Sequence, residues 1–186
     1  QGDDSEFDVS GYYAALLDGL EALPAVERAA SVHVAPVRGG GWVMSTELEG
    51  VEYADRSEQP LSYWRIVSDS YFEAIGGRLR DGRDFGPADS AGSMPVAIVN
   101  ATFAAERWPG QNPLGQRLRI GFDSAEWLTV VGVVEDIRLL GPANAVPPTV
   151  YRPLSQGAAA LERVGVTSQV LILHTREEPL AALDSV

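Results

Sequence analysis

The chain has 186 residues, enough for one good core or two small ones, and 45% of them are hydrophobic. Its net charge of −12 argues against nucleic acid or an anionic membrane surface as a partner. All 14 cations are arginine and cysteine is absent, which excludes phosphate-loop lysine, Schiff-base and thiol chemistry, thiolate metal sites and disulfides.

No apolar run approaches the ~20 residues needed to span a bilayer. The chain opens on an acidic lead, Gln1 to Glu6, and closes at Asp184-Ser185-Val186 inside what reads as the first turns of a helix. A piece of a larger protein is expected. Gly11 to Leu23 has helical spacing, with Tyr13, Leu16, Leu17, Leu20 and Leu23 on one stripe, Ser10 as cap and Pro24 after the end. From Val26 to Val34 the period changes to two, with Val26, Ala30, Val32 and Val34 on one face and Glu27, Ser31 and His33 on the other. Pro36 to Gly41 reads as a loop. Val43 to Val51 and Leu61 to Val67 read as a long hairpin with a charged connection, Glu52 to Pro60. Ser68 or Asp69 caps a short helix, Ser70 to Ile75, which Gly76 and Gly77 end. Asp81-Gly82 signals a turn, and Phe85 to Ser93 a surface loop.

Val96 to Val99 is a continuous apolar run after Pro95, as in a strand covered on both faces. Asn100 caps the helix that follows, with Phe103 and Trp108 as its large apolar residues, and Pro109 ends it. Pro109 to Gly115 is a turn. Gln116 to Ile120 and Trp127 to Val134 are paired strands, the second buried around Gly132. Trp64, Trp108 and Trp127 lie in or beside this region, so the main core is expected here. Leu139 to Pro148 is irregular. Thr149 to Tyr151 is a short strand stopped by Pro153. Leu154 to Ser168 is weakly patterned and expected to be mobile. Gln169 to Thr175 reads as a buried strand, and Thr175, Glu178 and Pro179 open a final helix over Leu180 to Val186.

The runs Val67-Ser68-Asp69-Ser70-Tyr71-Phe72-Glu73-Ala74-Ile75-Gly76 and Leu79-Arg80-Asp81-Gly82-Arg83-Asp84-Phe85 look like parts of one family signature. Val96 to Asn100, Phe103-Ala104, Trp108-Pro109-Gly110, Pro113-Leu114-Gly115, Val130 to Val134 and Pro148 to Tyr151 continue it in order. Together, from about Tyr12 to Val186, they resemble the MacB-like periplasmic core domain of FtsX-type ABC transporter permeases, closest in flavour to the permease-only bacterial subgroup. The resemblance implies an α+β fold: a porter-like α/β subdomain plus a mostly β inserted subdomain. Residues 1–186 would form one extracytoplasmic domain. The porter-like unit would take approximately 8–36 and 169–186, and approximately 42–155 would hold the remaining core with the β-rich subdomain. It further implies a periplasmic place between two transmembrane helices of the full-length chain, in the cytoplasmic membrane of a bacterium. A separate cytoplasmic ATPase subunit and a periplasmic adaptor are the implied partners. The domain would transmit motion in efflux, with no catalytic, cofactor-binding or metal residues to carry over. With both ends in one unit, hinge bending is expected near Pro36 to Gly41 and Leu154 to Ser168.

Each chemically suggestive group has a plainer reading. Glu135-Asp136 offers two carboxylates after a strand, as for an acid and base or a metal. Adjacent strand residues point to opposite faces, so the pair reads as a polar strand exit, with Asp136 beside Arg138. His33 and His174 with a serine would suggest a hydrolase, but no Gly-x-Ser-x-Gly elbow exists; both read as solvent-side or partly buried strand residues. Asp81-Gly82-Arg83-Asp84 lacks the spacing and closing glutamate of a calcium loop and reads as a turn with a salt bridge. Asn100-Ala101-Thr102 matches a glycosylation acceptor but reads as a cap. Gly39-Gly40-Gly41 neither follows a clear strand nor opens a helix, so it reads as a flexible joint rather than a phosphate cradle. The leading expectation is a non-catalytic permease domain. The alternative is a stand-alone extracytoplasmic ligand- or peptide-binding module, and a hydrolase is the third.

Overall fold

The computed structural model describes residues 8–34, 41–121, 126–137, 145–163, 165–166 and 168–176. In chain order the elements are α1 (Val9–Glu21), β1 (Val26–Val32), β2 (Trp42–Leu48), β3 (Leu61–Val67), α2 (Tyr71–Ala74), β4 (Leu79–Gly82), β5 (Val96–Asn100), α3 (Ala101–Arg107), β6 (Arg117–Ile120), β7 (Leu128–Val134), β8 (Thr149–Pro153), α4 (Leu154–Arg163) and β9 (Val170–Thr175). The fold class is α+β, as expected.

The strands follow the order β2-β6-β7-β5-β8-β3-β1-β9, with β4 also paired to β7. A further pairing of β2 with β3 closes the first six into a ring. Along its first half β2 pairs with β3, Trp42↔Trp64 to Ser45↔Leu61; along its second half it pairs with β6, Thr46↔Ile120 to Leu48↔Leu118. Its two edges serve different neighbours. The Thr46 N–H donates to the Pro60 carbonyl at 2.8 Å, while the Ser45 carbonyl accepts from the Gly121 N–H at 2.9 Å. Two parallel pairs, β3 with β8 and β5 with β7, meet antiparallel across β5 and β8.

Alternation fills the ring. Met44, Leu48, Trp64 and Ile66 point inward and meet Val99, Val130 and Val150. Phe103 and Trp108 at α3 and Leu154 and Leu161 on α4 complete this cluster. A second cluster on the outer face joins Val67, Tyr71, Phe72, Val96, Ile98 and Tyr151. That is why β5 is buried along its whole length. α1 covers a third, small cluster of Leu17, Val26 and Ala29.

Beyond the ring, β1 pairs with β9 from Val26↔Thr175 to Val32↔Val170, with a bulge between Val26 and Arg28. It meets β3 at one register pair, Val32↔Val67. On the other side β4 extends β7, with Gly82 opposite Gly132. Gly82 has φ of +77°, and a Cβ there would lie 2.2 Å from the Val131 carbonyl oxygen; a Cβ at Gly132 would lie 2.3 Å from that of Arg83. The close approach of these two backbones therefore requires both glycines.

Several local expectations need correction. The cap of α1 is Asp8, whose carboxylate accepts from the Gly11 N–H at 2.9 Å, not Ser10. Asp81-Gly82 ends an edge strand rather than forming a free turn. Leu154 to Arg163 is a packed helix, α4, not a mobile segment. Its buried residues are Leu154, Gly157, Ala160 and Leu161, and Gly157 leaves room for Ile66. β9 was expected to be buried, but Val170 and Leu171 are 39% and 40% exposed because the strand ends the sheet. Ser31 and His33, read on the face opposite Val32 with His33 solvent-side or partly buried, are both buried where β1 meets β3. The loop over Pro36 to Gly40, Arg138, and the final helix over Leu180 to Val186 lie outside the described residues.

Candidate functional site

The two carboxylates after β7 do not converge. Glu135 is exposed. Asp136 turns back to α3, accepting from the Thr102 N–H at 2.9 Å, the Thr102 hydroxyl at 2.7 Å and Asn100 Nδ2 at 2.8 Å. Asn100 Oδ1 accepts from the Phe103 N–H at 3.0 Å and the Thr149 N–H at 2.8 Å. The two side chains cap α3 together and tie it to β8, so Asn100 is a buried cap.

In the Asp81–Asp84 stretch, Arg83 forms its ion pair not with a neighbour but with Asp89, Nη1 and Nη2 each lying 2.7 Å from one of its oxygens. The Arg83 guanidinium holds the Asp89 carboxyl below the usual carboxylate range. Burial pushes Asp69 up, with repulsion from Asp89 adding to it. Burial likewise pushes Asp84 up, against the Phe85 N–H, with Asp69 and Glu73 as repelling neighbours. Among the described residues no group of three or more His, Asp or Glu is placed to hold a metal ion.

The histidines separate. His174 is exposed on β9. His33 is 7% exposed, with its ring 5.1 Å from that of Trp42 and 5.9 Å from that of Trp64. Its Nδ1 accepts the Ile66 N–H at 2.9 Å, so the neutral ring carries its proton on Nε2, which is buried without a partner. Burial pushes this imidazole down to about 4, with the Arg65 charge adding to the shift. Gly39 and Gly40 lie outside the described residues.

His33 belongs to a joint that sequence reasoning missed. Where β1 passes β3, two bonds are main-chain: the His33 N–H donates to the Ile66 carbonyl at 3.2 Å, and the Ser68 N–H to the Ser31 carbonyl at 2.9 Å. Four more use side chains. Ser68 Oγ accepts from the Ser31 N–H at 3.0 Å, and Ser70 Oγ donates to the Ala29 carbonyl at 2.6 Å. His33 takes the Ile66 N–H, and Arg65 donates to the Val34 carbonyl at 2.8 Å. From Ser68 to Ser70 this seam floors a groove between α1 and α4, made of two cavities of about 350 and 670 Å³ that share Ser10, Ala14 and Ser155. The walls mix small and apolar side chains, Ala14, Leu17 and Leu154 among them, with the carboxylates of Asp18, Asp69, Glu126 and Glu162. At one end Arg152 is buried and bonded to Glu126. Ser10, Ser68 and Asp69 stood out in the sequence only as helix caps, because a run of serine, alanine and glycine carries no periodic signal that would mark a groove.

Comparison with known proteins gives the context. Solved structures share the fold, among them the following three. The periplasmic region of MacB from Actinobacillus actinomycetemcomitans has a TM-score of 0.63 at 15% identity, covering 92% of this chain and 69% of that one. The extracellular domain of the noncanonic ABC-type transporter YknZ from Gram-positive bacteria has 0.59 at 15%, covering 91% and 75%. A domain of a putative permease protein from Porphyromonas gingivalis has 0.58 at 18%, covering 88% and 68%. No curated protein sequence matches the chain. Residues 3–183 match the MacB-like periplasmic core domain, and the chain belongs to that family, the periplasmic domains of MacB-like ABC transporter permeases. Among the described residues no helix is long and apolar enough to cross a membrane.

Proposed function

We propose that this chain is a non-catalytic extracytoplasmic domain that passes conformational change between membrane helices of its full-length permease and outer partners or substrate. ATP would be hydrolysed by a separate cytoplasmic subunit, and a periplasmic adaptor is a candidate outer partner. The observation that carries this reading is the pairing of β9 with β1 along nearly its whole length. The first and last described strands thereby share one layer, and the ring meets β1 at a single register pair. We assign that layer, 8–36 with 169–186, as the unit that receives motion, and the remaining core as the unit that displays it. Force entering at either end of the chain then acts on the layer, and the ring moves as a lever.

The test uses the full-length permease with its ATPase. Cysteines at Ala14 and Ala159, bridged across the groove by a short bifunctional thiol reagent, are expected to abolish transport while ATP binding persists. Cysteines at Arg28 and His174, accessible register partners inside the layer, should leave transport unchanged. Normal transport with the groove bridged would remove the relay. The groove itself supports a second reading, a ligand- or peptide-binding module. That reading expects saturable binding by the isolated chain, lost when the groove is bridged.

A further inference from the structure

The groove between α1 and α4 carries a charge imbalance that the fold itself does not use. Its walls hold six carboxylates, those of Asp8, Asp18, Glu21, Asp69, Glu126 and Glu162, against the single guanidinium of Arg152. Three of the six are engaged. Asp8 accepts the Gly11 N–H, Glu21 accepts the Ala29 N–H at 2.9 Å, and Glu126 pairs with Arg152. The side chains of Asp18, Asp69 and Glu162 meet neither a hydrogen-bond donor nor a cation among the described residues. Asp69 and Glu162 are half-buried, where an unpaired charge costs more than at the open surface. α1 has no basic residue in its last turn, and its negative C-terminal end adds to Asp18 and Glu21.

The spacing of these charges selects the ligand. Asp18 and Asp69 line the cavity of about 350 Å³, and Glu162 lines that of about 670 Å³. No three acidic groups converge on a metal ion among the described residues. Instead the carboxylates are strung along α1, whose 13 residues span about 20 Å. A single ion therefore serves one cavity only, whereas an extended segment of about six residues follows the whole groove. Between the carboxylates lie Ala14, Leu17, Leu154 and Ala158. These small or apolar side chains let a backbone approach closely and cover the aliphatic stems of arginine and lysine.

We propose that the α1–α4 groove docks a basic segment of a partner protein. The segment lies lengthwise between the helices and sets arginine or lysine side chains against Asp18 and Asp69 in one cavity and Glu162 in the other. This names the chemistry of the ligand- or peptide-binding reading of the groove and rests on that reading.

Fluorescence anisotropy with the 186-residue chain tests it. The probe is a short labelled peptide of alternating arginine and alanine, which should bind saturably. The same peptide with glutamine for arginine should not. In the double variant Asp18→Asn, Asp69→Asn the affinity should fall about tenfold or more. Asparagine keeps the shape of both side chains, so the fold is not at stake. Ala159→Trp fills the wider cavity without changing charge and should weaken binding as much. Glu52→Gln with Glu135→Gln removes the same charge from exposed sites outside the groove and should leave affinity within about twofold. Parent-like binding by the double variant or by Ala159→Trp overturns the proposal, and so does equal weakening in the control pair. Spermidine binding as tightly as the peptide would make the occupant a small polycation and overturn it too. Groove-dependent binding of the glutamine peptide would remove the basic segment but leave the ligand- or peptide-binding reading standing. No groove-dependent binding of either peptide would remove both.

Discussion

Asn100, the last residue of β5, and Asp136, just past the end of β7, are joined by a hydrogen bond of 2.8 Å from Nδ2 to Oδ1. Because β5 and β7 run parallel, both strands deliver their exits to the same end of the sheet, where α3 begins. The polar pair therefore caps a helix. Asn100→Ala is expected to lower the stability of the chain by about 3 kcal/mol, since buried donors and acceptors lose their partners. Asp136→Ala should cost about 1 kcal/mol, and the double variant less than the sum. Urea denaturation checks this; an Asp136→Ala protein as stable as its parent would remove the shared cap.

Gly132 tests the close approach of β4 and β7. A methyl group there meets the Arg83 carbonyl at 2.3 Å, and main chain cannot step aside as a side-chain tip can. Gly132→Ala should destabilise by about 2 kcal/mol through overpacking. Gly50→Ala serves as the comparison: its φ is +79° but nothing lies within 4 Å of the added carbon. The cost there should be about 1 kcal/mol, from the backbone alone. Equal losses in thermal or urea denaturation would show that contact plays no part.

His33 makes stability fall on mild acidification. Its folded pKa of about 4 is below the ordinary 6.5, so the unfolded chain binds the proton more readily. The contribution is full above pH ~6.5 and is lost as pH falls from there toward about 4. His33→Gln keeps an acceptor for the Ile66 N–H but does not titrate. The difference between parent and variant should shrink or reverse across that window. A difference that stays constant from pH 7 to pH 4.5 would show that His33 titrates normally.

Asp69 and Asp84 act with the opposite sign. Their folded pKa values are raised, so the charged forms present at neutral pH are disfavoured in the native state, and protonation in acid relieves this. Asp69→Asn should raise the melting temperature at pH 7, with the gain fading in acid as the parent carboxyl becomes neutral. A melting temperature unchanged or lowered at pH 7 would contradict this.

The parts of the fold that could be read in the sequence are those fixed by local pattern. The apolar runs of β5 and β7 and the Asn100 cap need no knowledge of neighbours, and they stand as read. α4 was missed because its buried stripe holds Gly157 and Ala160 between two leucines, too little volume for a helical pattern to show. The burial of β9 was overstated for the converse reason: Val170-Leu171-Ile172-Leu173 looks like a covered strand, but exposure depends on sheet position, which composition does not encode. The Asp136 cap and the seam join residues far apart in sequence, and only the parallel pairing and the meeting of β1 with β3 bring them together.

The closed ring also sets the order in which the chain can fold. Tyr63 in β3 finds its parallel partner only at Thr149, and Val26 in β1 only at Thr175. Neither ring nor layer can be completed until nearly all of the described chain has been delivered. The stretch β5–α3–β6–β7 has its contacts close in sequence, and its strands pair with one another directly. Loop-closure entropy favours this unit and the β2–β3 hairpin, which pairs from Ser45↔Leu61, as the first to form, with β8 joining them and the β1–β9 pair last. While the chain waits for β8, the flank of β3 that β8 will cover is an open strand edge. That interval is when a newly made chain is most exposed to pairing with the wrong partner.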